Sequence, residues 1–177
     1  MSIVSKLVGE VIDVSPRDFA RISGETFKAI TVQLLDAKID VVISEFVAKE
    51  SYEGKVEITG YLASKVQKGT VPLFFIFANE IVEVPEDTAI TNKVQFRYKV
   101  TKVSKFKVNS RGVDLLPMVA ADYTAHQTTS VIYLCVRGLN ARKLKDKKPG
   151  YYVAGEGYLK QYRDIYEIIT TEVTVEE

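Results

Sequence analysis

Residues 55–62 read Lys55-Val56-Glu57-Ile58-Thr59-Gly60-Tyr61-Leu62, and residues 151–159 read Tyr151-Tyr152-Val153-Ala154-Gly155-Glu156-Gly157-Tyr158-Leu159. Apolar side chains alternate with polar or small ones in both, which is the period of a strand with one buried face. Both stretches close on Gly-Tyr-Leu, so one strand type occurs twice in the chain. Around the first copy, alternation predicts strands over Val8–Val14, Phe27–Leu34 and Ile39–Ile43 before it and Leu73–Val84 after it. Ser23-Gly24-Glu25 is a turn signal, and Glu45–Tyr52 reads as a short helix.

The second copy has the same surroundings. Lys93–Val103 places Val94, Phe96, Tyr98 and Val100 on one face and Gln95, Arg97, Lys99 and Thr101 on the other. Asn109-Ser110-Arg111-Gly112 is a turn, Val113–Ala121 and Val131–Val136 are strands, and Leu139–Asp146 is a short basic helix. The last strand, Tyr166–Val175, aligns its Ile169–Val175 with Ala78–Val84 of the first half. Three strands, a short helix and two more strands, in units of about 85 residues, is the order of a five-stranded OB barrel. The expectation is an all-β protein of two tandem five-stranded OB-fold barrels, each with a short helix after strand three. Residues 1–85 form the first, the polar stretch 86–92 is a linker, and residues 93–177 form the second. A sandwich of roughly ten strands would accommodate the same alternation.

Composition narrows the function. The net charge is only +1, but residues 1–90 carry nine Lys and Arg against fourteen Asp and Glu, and the remainder carries fifteen against nine. The C-terminal half is therefore basic and suited to phosphate, and the N-terminal half is acidic. One cysteine, Cys135, and one histidine, His126, exclude an internal disulfide and a Cys/His zinc site. Cys135 lies in the apolar run VIYLCV and reads as a sheet residue; His126 reads as a solvated loop residue. Neither phosphate-cradling glycine motif occurs, and no paired carboxylates stand beside a base in a defined motif. No cofactor and no catalytic activity are expected. No apolar run reaches membrane length, and the alternating start MSIVSKLVGEVIDV is unlike a signal peptide, so the expected location is cytoplasmic.

Four segments together resemble the bacterial single-stranded DNA-binding protein and PriB superfamily. They are Asn92-Lys93-Val94 opening a strand, VIYLCVRGLNARKLKD, PGYYVAGEGYL, and the closing IITTEVTV. SKLVGEVIDV, VEITGYL and FFIFANEIVEV carry the likeness more weakly through the first half. The resemblance implies OB folds, single-stranded DNA as ligand, and replication or recombination proteins as partners. Two barrels replace the family's usual one, and the chain stops at Val173-Thr174-Val175-Glu176-Glu177 without the family's acidic tail. It therefore resembles a specialised relative of phage or mobile-element type.

Sequence-independent binding of a single strand needs a basic groove and flat rings for stacking. The candidate track is Arg97 and Lys99 on the first strand; Lys105, Phe106, Lys107 and Arg111 around the following turn; Tyr133 and Arg137 on the third strand; and Tyr158, Lys160, Tyr162 and Arg163 in the bend between strands four and five. Phe96 and Tyr98 share parity with Val94 and Val100 and belong to the core. Tyr151 and Tyr152 face opposite ways, so at most one makes contact. Residues 142–148 read as a solvated helix face and turn. Arg17, Phe19 and Arg21, in a first long turn, and Lys65 and Lys68 are the fewer candidates of the acidic half. Stacking and phosphate contacts serve RNA as well as DNA. Open edge strands would let two copies pair as a homodimer. The competing reading is a protein-interaction module of a primosome or mobile-element assembly, which the acidic half favours.

Overall fold

The computed structural model describes residues 2–65, 71–123 and 129–176; Lys68 and His126 lie outside these residues. Strand β1 (Ser2–Ile22) runs well past Val14 because its second half pairs with β2 (Glu25–Gln33). Ser23 and Gly24 turn the chain with φ of 50° and 81°, a left-handed backbone that glycine adopts without Cβ strain. Arg17, Phe19 and Arg21 are therefore strand residues of a hairpin arm, and the long turn expected there is not formed. Register irregularities bracket Ser15 and Pro16, where a missing proline N–H costs no ladder bond.

Strands β3 (Lys38–Ser44), β4 (Lys55–Lys65) and β5 (Leu73–Val84) complete the first half. Pairing runs β1–β2–β3–β5–β4 and returns to β1, with β3 and β5 parallel and the other neighbours antiparallel. The second half repeats that circuit with β6 (Val94–Val103), β8 (Asp114–Tyr123), β9 (Thr129–Arg137), β11 (Ile165–Glu176) and β10 (Tyr152–Tyr162), and again the third and fifth strands are the parallel pair. A two-residue strand, β7 (Lys107–Val108), lies along β8, and helix α1 (Leu139–Leu144) follows β9.

The short helix expected over Glu45–Tyr52 is absent. Residues 45–47 make one turn, closed by the Val47 and Ala48 amides donating to the Ser44 carbonyl at 3.1 and 3.0 Å. The segment has no apolar stripe at helical spacing to bury: Phe46 and Val47 point into solvent. Tyr52 anchors it instead, fully buried, its amide donating to the Val14 carbonyl at 2.9 Å.

Burial follows the alternation. In β6, Val94, Phe96, Tyr98 and Val100 are buried and Gln95, Arg97, Lys99 and Thr101 are exposed, with the Phe96 and Tyr98 rings stacked 5.2 Å apart. One continuous cluster of buried apolar residues draws on both halves. Ser2 and Ile3 of β1 pair with Phe96 and Gln95 of β6, so the circuits share a sheet. Around that joint the Asn92 side chain donates to the Leu159 carbonyl (2.8 Å) and accepts from the Leu159 amide (2.9 Å). Tyr166 stacks on Phe74 and donates its hydroxyl to the Lys38 carbonyl at 2.7 Å.

The two Gly-Tyr-Leu segments play one role. At Gly60 the β4–β5 register shifts, and a Cβ there would overlap the Phe77 carbonyl oxygen. At Gly157 the β10–β11 register shifts, and a Cβ would overlap the Ile169 carbonyl oxygen. Each glycine lets the fourth strand of its circuit cross closely over the fifth at a bulge.

Candidate nucleic-acid interface

Register determines which side chains meet on the outer face of the second circuit. Leu115 opposes Arg137, Pro117 opposes Cys135, Val119 opposes Tyr133, Tyr158 opposes Ile169 and Lys160 opposes Glu167. Cys135 pairs in parallel with Ile169, which brings β8–β9 and β10–β11 onto one surface. Between them lies an open groove of about 400 Å³, bounded by Arg111, Arg137, Tyr158, Lys160, Cys135 and Glu167. A second depression of about 300 Å³ holds Tyr133 and Lys102, and Glu167 borders both.

The rim at Arg111 is shaped by Asn109. Its side-chain oxygen accepts from the Arg111 and Val113 amides at 3.0 and 2.9 Å, and its carbonyl accepts from Gly112 at 3.0 Å. This local capture by an Asn side chain is why Asn109-Ser110-Arg111-Gly112 turns where the sequence signals a turn. On the opposite wall, Tyr158, Lys160 and Tyr162 alternate outward along β10, while Leu159 is buried and Gln161 bonds to the first half. Residues 158–162 are thus strand rather than bend; the turn itself is Arg163-Asp164.

The structure assembles the predicted track only in part. Arg111, Arg137, Tyr158 and Lys160 share one groove, and Tyr133 lies in the depression beside it. Lys107 faces the same region, since its charge acts on both Glu167 and Cys135. Tyr162 is 67% exposed at the hairpin tip, with the Arg163 guanidinium 5.5 Å from its ring centre. Lys105 is exposed beside Phe106, and Phe106 itself is half-buried against the core under the Lys145 ammonium. Arg97 is engaged elsewhere, bonded to Glu176 at 2.7 Å and lying 4.4 Å from the Tyr152 ring centre; Lys99, exposed on the same strand, lines neither cavity.

Glu167 was not among the expected residues. It is half-buried, and burial raises its carboxyl pKa above the ordinary glutamate range, with Lys160 and Lys107 pulling the other way. Among the described residues its carboxylate makes no hydrogen bond or ion pair. Cys135 beside it is pushed up to about 11, by burial first and then by the Glu167 charge. No group of three or more His, Cys, Asp or Glu among the described residues could hold a metal ion. Among the described residues no helix is long and apolar enough to cross a membrane.

The matching face of the first circuit is built differently. By register, Ser44, Ala63 and Phe75 stand where Arg137, Lys160 and Glu167 stand in the second, while Tyr61 matches Tyr158. Phe27, Val42, Phe75 and Phe77 fill that face as a buried cluster, with Phe19, Ile22 and Tyr61 packed on it. The β1–β2 arm covers it. Arg17 pins the arm by donating to Asp40 at 2.6 Å and Asp13 at 3.0 Å, and Lys28 pairs with Asp18.

No protein-family model and no curated protein matches the sequence. Among solved structures, the wild-type single-stranded DNA-binding protein from Thermus aquaticus superposes with a TM-score of 0.76 at 12% identity, covering 99% of this chain and 94% of that one. A deletion variant of the same protein gives 0.76 at 11% identity, with 99% and 95% covered. The protein PriB from Ralstonia solanacearum, at 15% identity, covers 49% of this chain and 99% of its own with a TM-score of 0.44. Over nearly its whole length, therefore, this chain has the fold of the Thermus aquaticus protein.

Proposed function

We propose that the chain is a non-catalytic single-stranded DNA-binding protein of DNA replication or recombination, in which residues 1–85 and 93–177 are tandem OB barrels and the second carries the strand. One observation supports this most. Arg111, Arg137 and Lys160 surround Tyr158 in a single open groove. The groove lies on the second and third strands of its circuit, between the loop that joins β6 to β8 and the β10–β11 hairpin, the surface by which OB folds grip oligonucleotides. Cations at the rim suit phosphates, and a half-exposed ring suits base stacking. The shared fold with a single-stranded DNA-binding protein adds to the reading. A fluorescence-anisotropy titration with oligo-dT of about 30 nucleotides tests it, because this length exceeds the site size of one OB fold. Binding at low salt that weakens steeply as salt rises is expected. Absence of binding at low salt would end the proposal. The same titration with oligo-U separates DNA preference from RNA.

A protein-interaction module is the second reading. The observation that favours it is Phe46 and Val47, 82% and 61% exposed on the acidic half. Indifference to all oligonucleotides, together with co-purification of a helicase or polymerase, would select it.

A further inference from the structure

The groove contains one group that does not suit a phosphate track. Glu167 sits where both depressions meet, opposite Lys160 and next to Cys135, and its carboxylate is without a hydrogen-bond partner among the described residues. Half-buried in an open groove and without a protein donor, the carboxylate is left to water or to the donor group of a ligand that displaces it. A phosphate passing over it would be repelled, whereas Arg111 and Arg137 at the rim would attract one. The two kinds of group therefore sort a nucleotide by its parts, backbone to the rim and base edge to the floor.

We infer that Glu167 receives the base edge and makes the groove selective for bases bearing amino donors over thymine. This rests on the nucleic-acid reading above. Cytosine offers its N4 amino group to a carboxylate and adenine its N6 amino group. Guanine offers N1–H and the N2 amino group side by side, a match for both carboxylate oxygens. Thymine offers only N3–H, flanked by two carbonyl oxygens that a carboxylate opposes. Tyr158 and Ile169, paired across the strands one step from Glu167, present the flat and apolar surfaces that would support such a base.

The test compares oligo-dC and oligo-dT of about 20 nucleotides, long enough to fill one OB fold, at neutral pH and low salt. Both are titrated against the wild-type chain and Glu167→Gln, whose melting temperature reports that it is folded. The wild type should bind oligo-dC at least about fivefold more tightly, the lower end of what one well-made base contact gives. Glu167→Gln should bind oligo-dT more tightly than the wild type does and bring the two affinities close together. Equal wild-type affinities would overturn the inference and leave the nucleic-acid reading standing. So would a Glu167→Gln variant that tightens both oligomers by the same factor, since Glu167 would then act only as a charge opposing the backbone. Failure of the wild type to bind either oligomer would remove both.

Discussion

Phe19 lies against Phe75 with ring centres 5.0 Å apart, and this contact seals in the first half the face that stays open in the second. The charge asymmetry of the sequence thus has a structural counterpart. Where the second circuit presents Arg137, Lys160 and Glu167, the first has Ser44, Ala63 and Phe75 beneath its own arm.

Phe19→Ala should loosen that seal. Loss of an aromatic pair and its buried area is expected to cost about 1–3 kcal/mol and to expose Phe75 and Phe77. A lower melting temperature with increased binding of a hydrophobic dye would show it; an unchanged melting curve would mean that the arm packs loosely.

Gly60→Ala and Gly157→Ala should each destabilise by about 1–3 kcal/mol, because the added Cβ meets a carbonyl oxygen of the neighbouring strand. Urea denaturation measures this. The two losses should be similar, since both glycines sit at the same bulge of their circuits.

Arg137→Ala and Lys160→Ala should weaken binding of oligo-dT and flatten its salt dependence, each lowering the slope of log K against log salt by about 0.7 if one phosphate contact is lost. Arg97→Ala should leave that slope unchanged, because Arg97 is bonded to Glu176 and lines neither cavity. A flatter slope in Arg97→Ala would extend the track onto β6.

Cys135 should react slowly with a disulfide reagent at pH 8, since a thiol pushed up to about 11 is almost wholly protonated there. Oligonucleotide in the groove should slow it further. Reaction at the rate of a free thiol would contradict the burial of the groove floor.

Glu167 gives a stability signature in acid. Its folded-state pKa is raised, so the folded chain holds the proton more tightly than the unfolded chain does. Its contribution is complete below the unfolded glutamate value and declines as pH rises through the folded value. Glu167→Gln should therefore melt above the wild type at pH 7 and lose that advantage as pH falls below the ordinary glutamate range. A constant difference across pH would show that the carboxyl is as well solvated as in the unfolded chain.

Local alternation made most strands legible. Val94 to Val100 point alternately in and out as the period requires, and the repeated Gly-Tyr-Leu marks the same bulge twice. The β1–β2 arm was obscured because Ser15-Pro16 interrupts the alternation, although the strand resumes beyond it. The helix at Glu45 was overestimated because a polar run between strands says nothing about which side chain anchors it; Tyr52 does. In the site, cations and tyrosines could be proposed from charge and parity. Their grouping depends on cross-strand register and on the bulge at Gly157, which decide that Glu167 faces Lys160 and that Arg97 lies off the groove. Phe106 illustrates the same limit: a ring between two lysines reads as exposed until the core beneath it is known.

The pairing of Ser2 and Ile3 with Phe96 and Gln95, and the core that runs through both circuits, make the peptide between them mechanically redundant. A backbone cut at Asp87-Thr88 would leave two fragments still held by the mutual hydrogen bonds of Thr91 and Val8, by Tyr166 on the Lys38 carbonyl and by the shared strands. Such a nicked chain should migrate as a single particle, and new termini could be opened there without letting the groove drift relative to the sealed face.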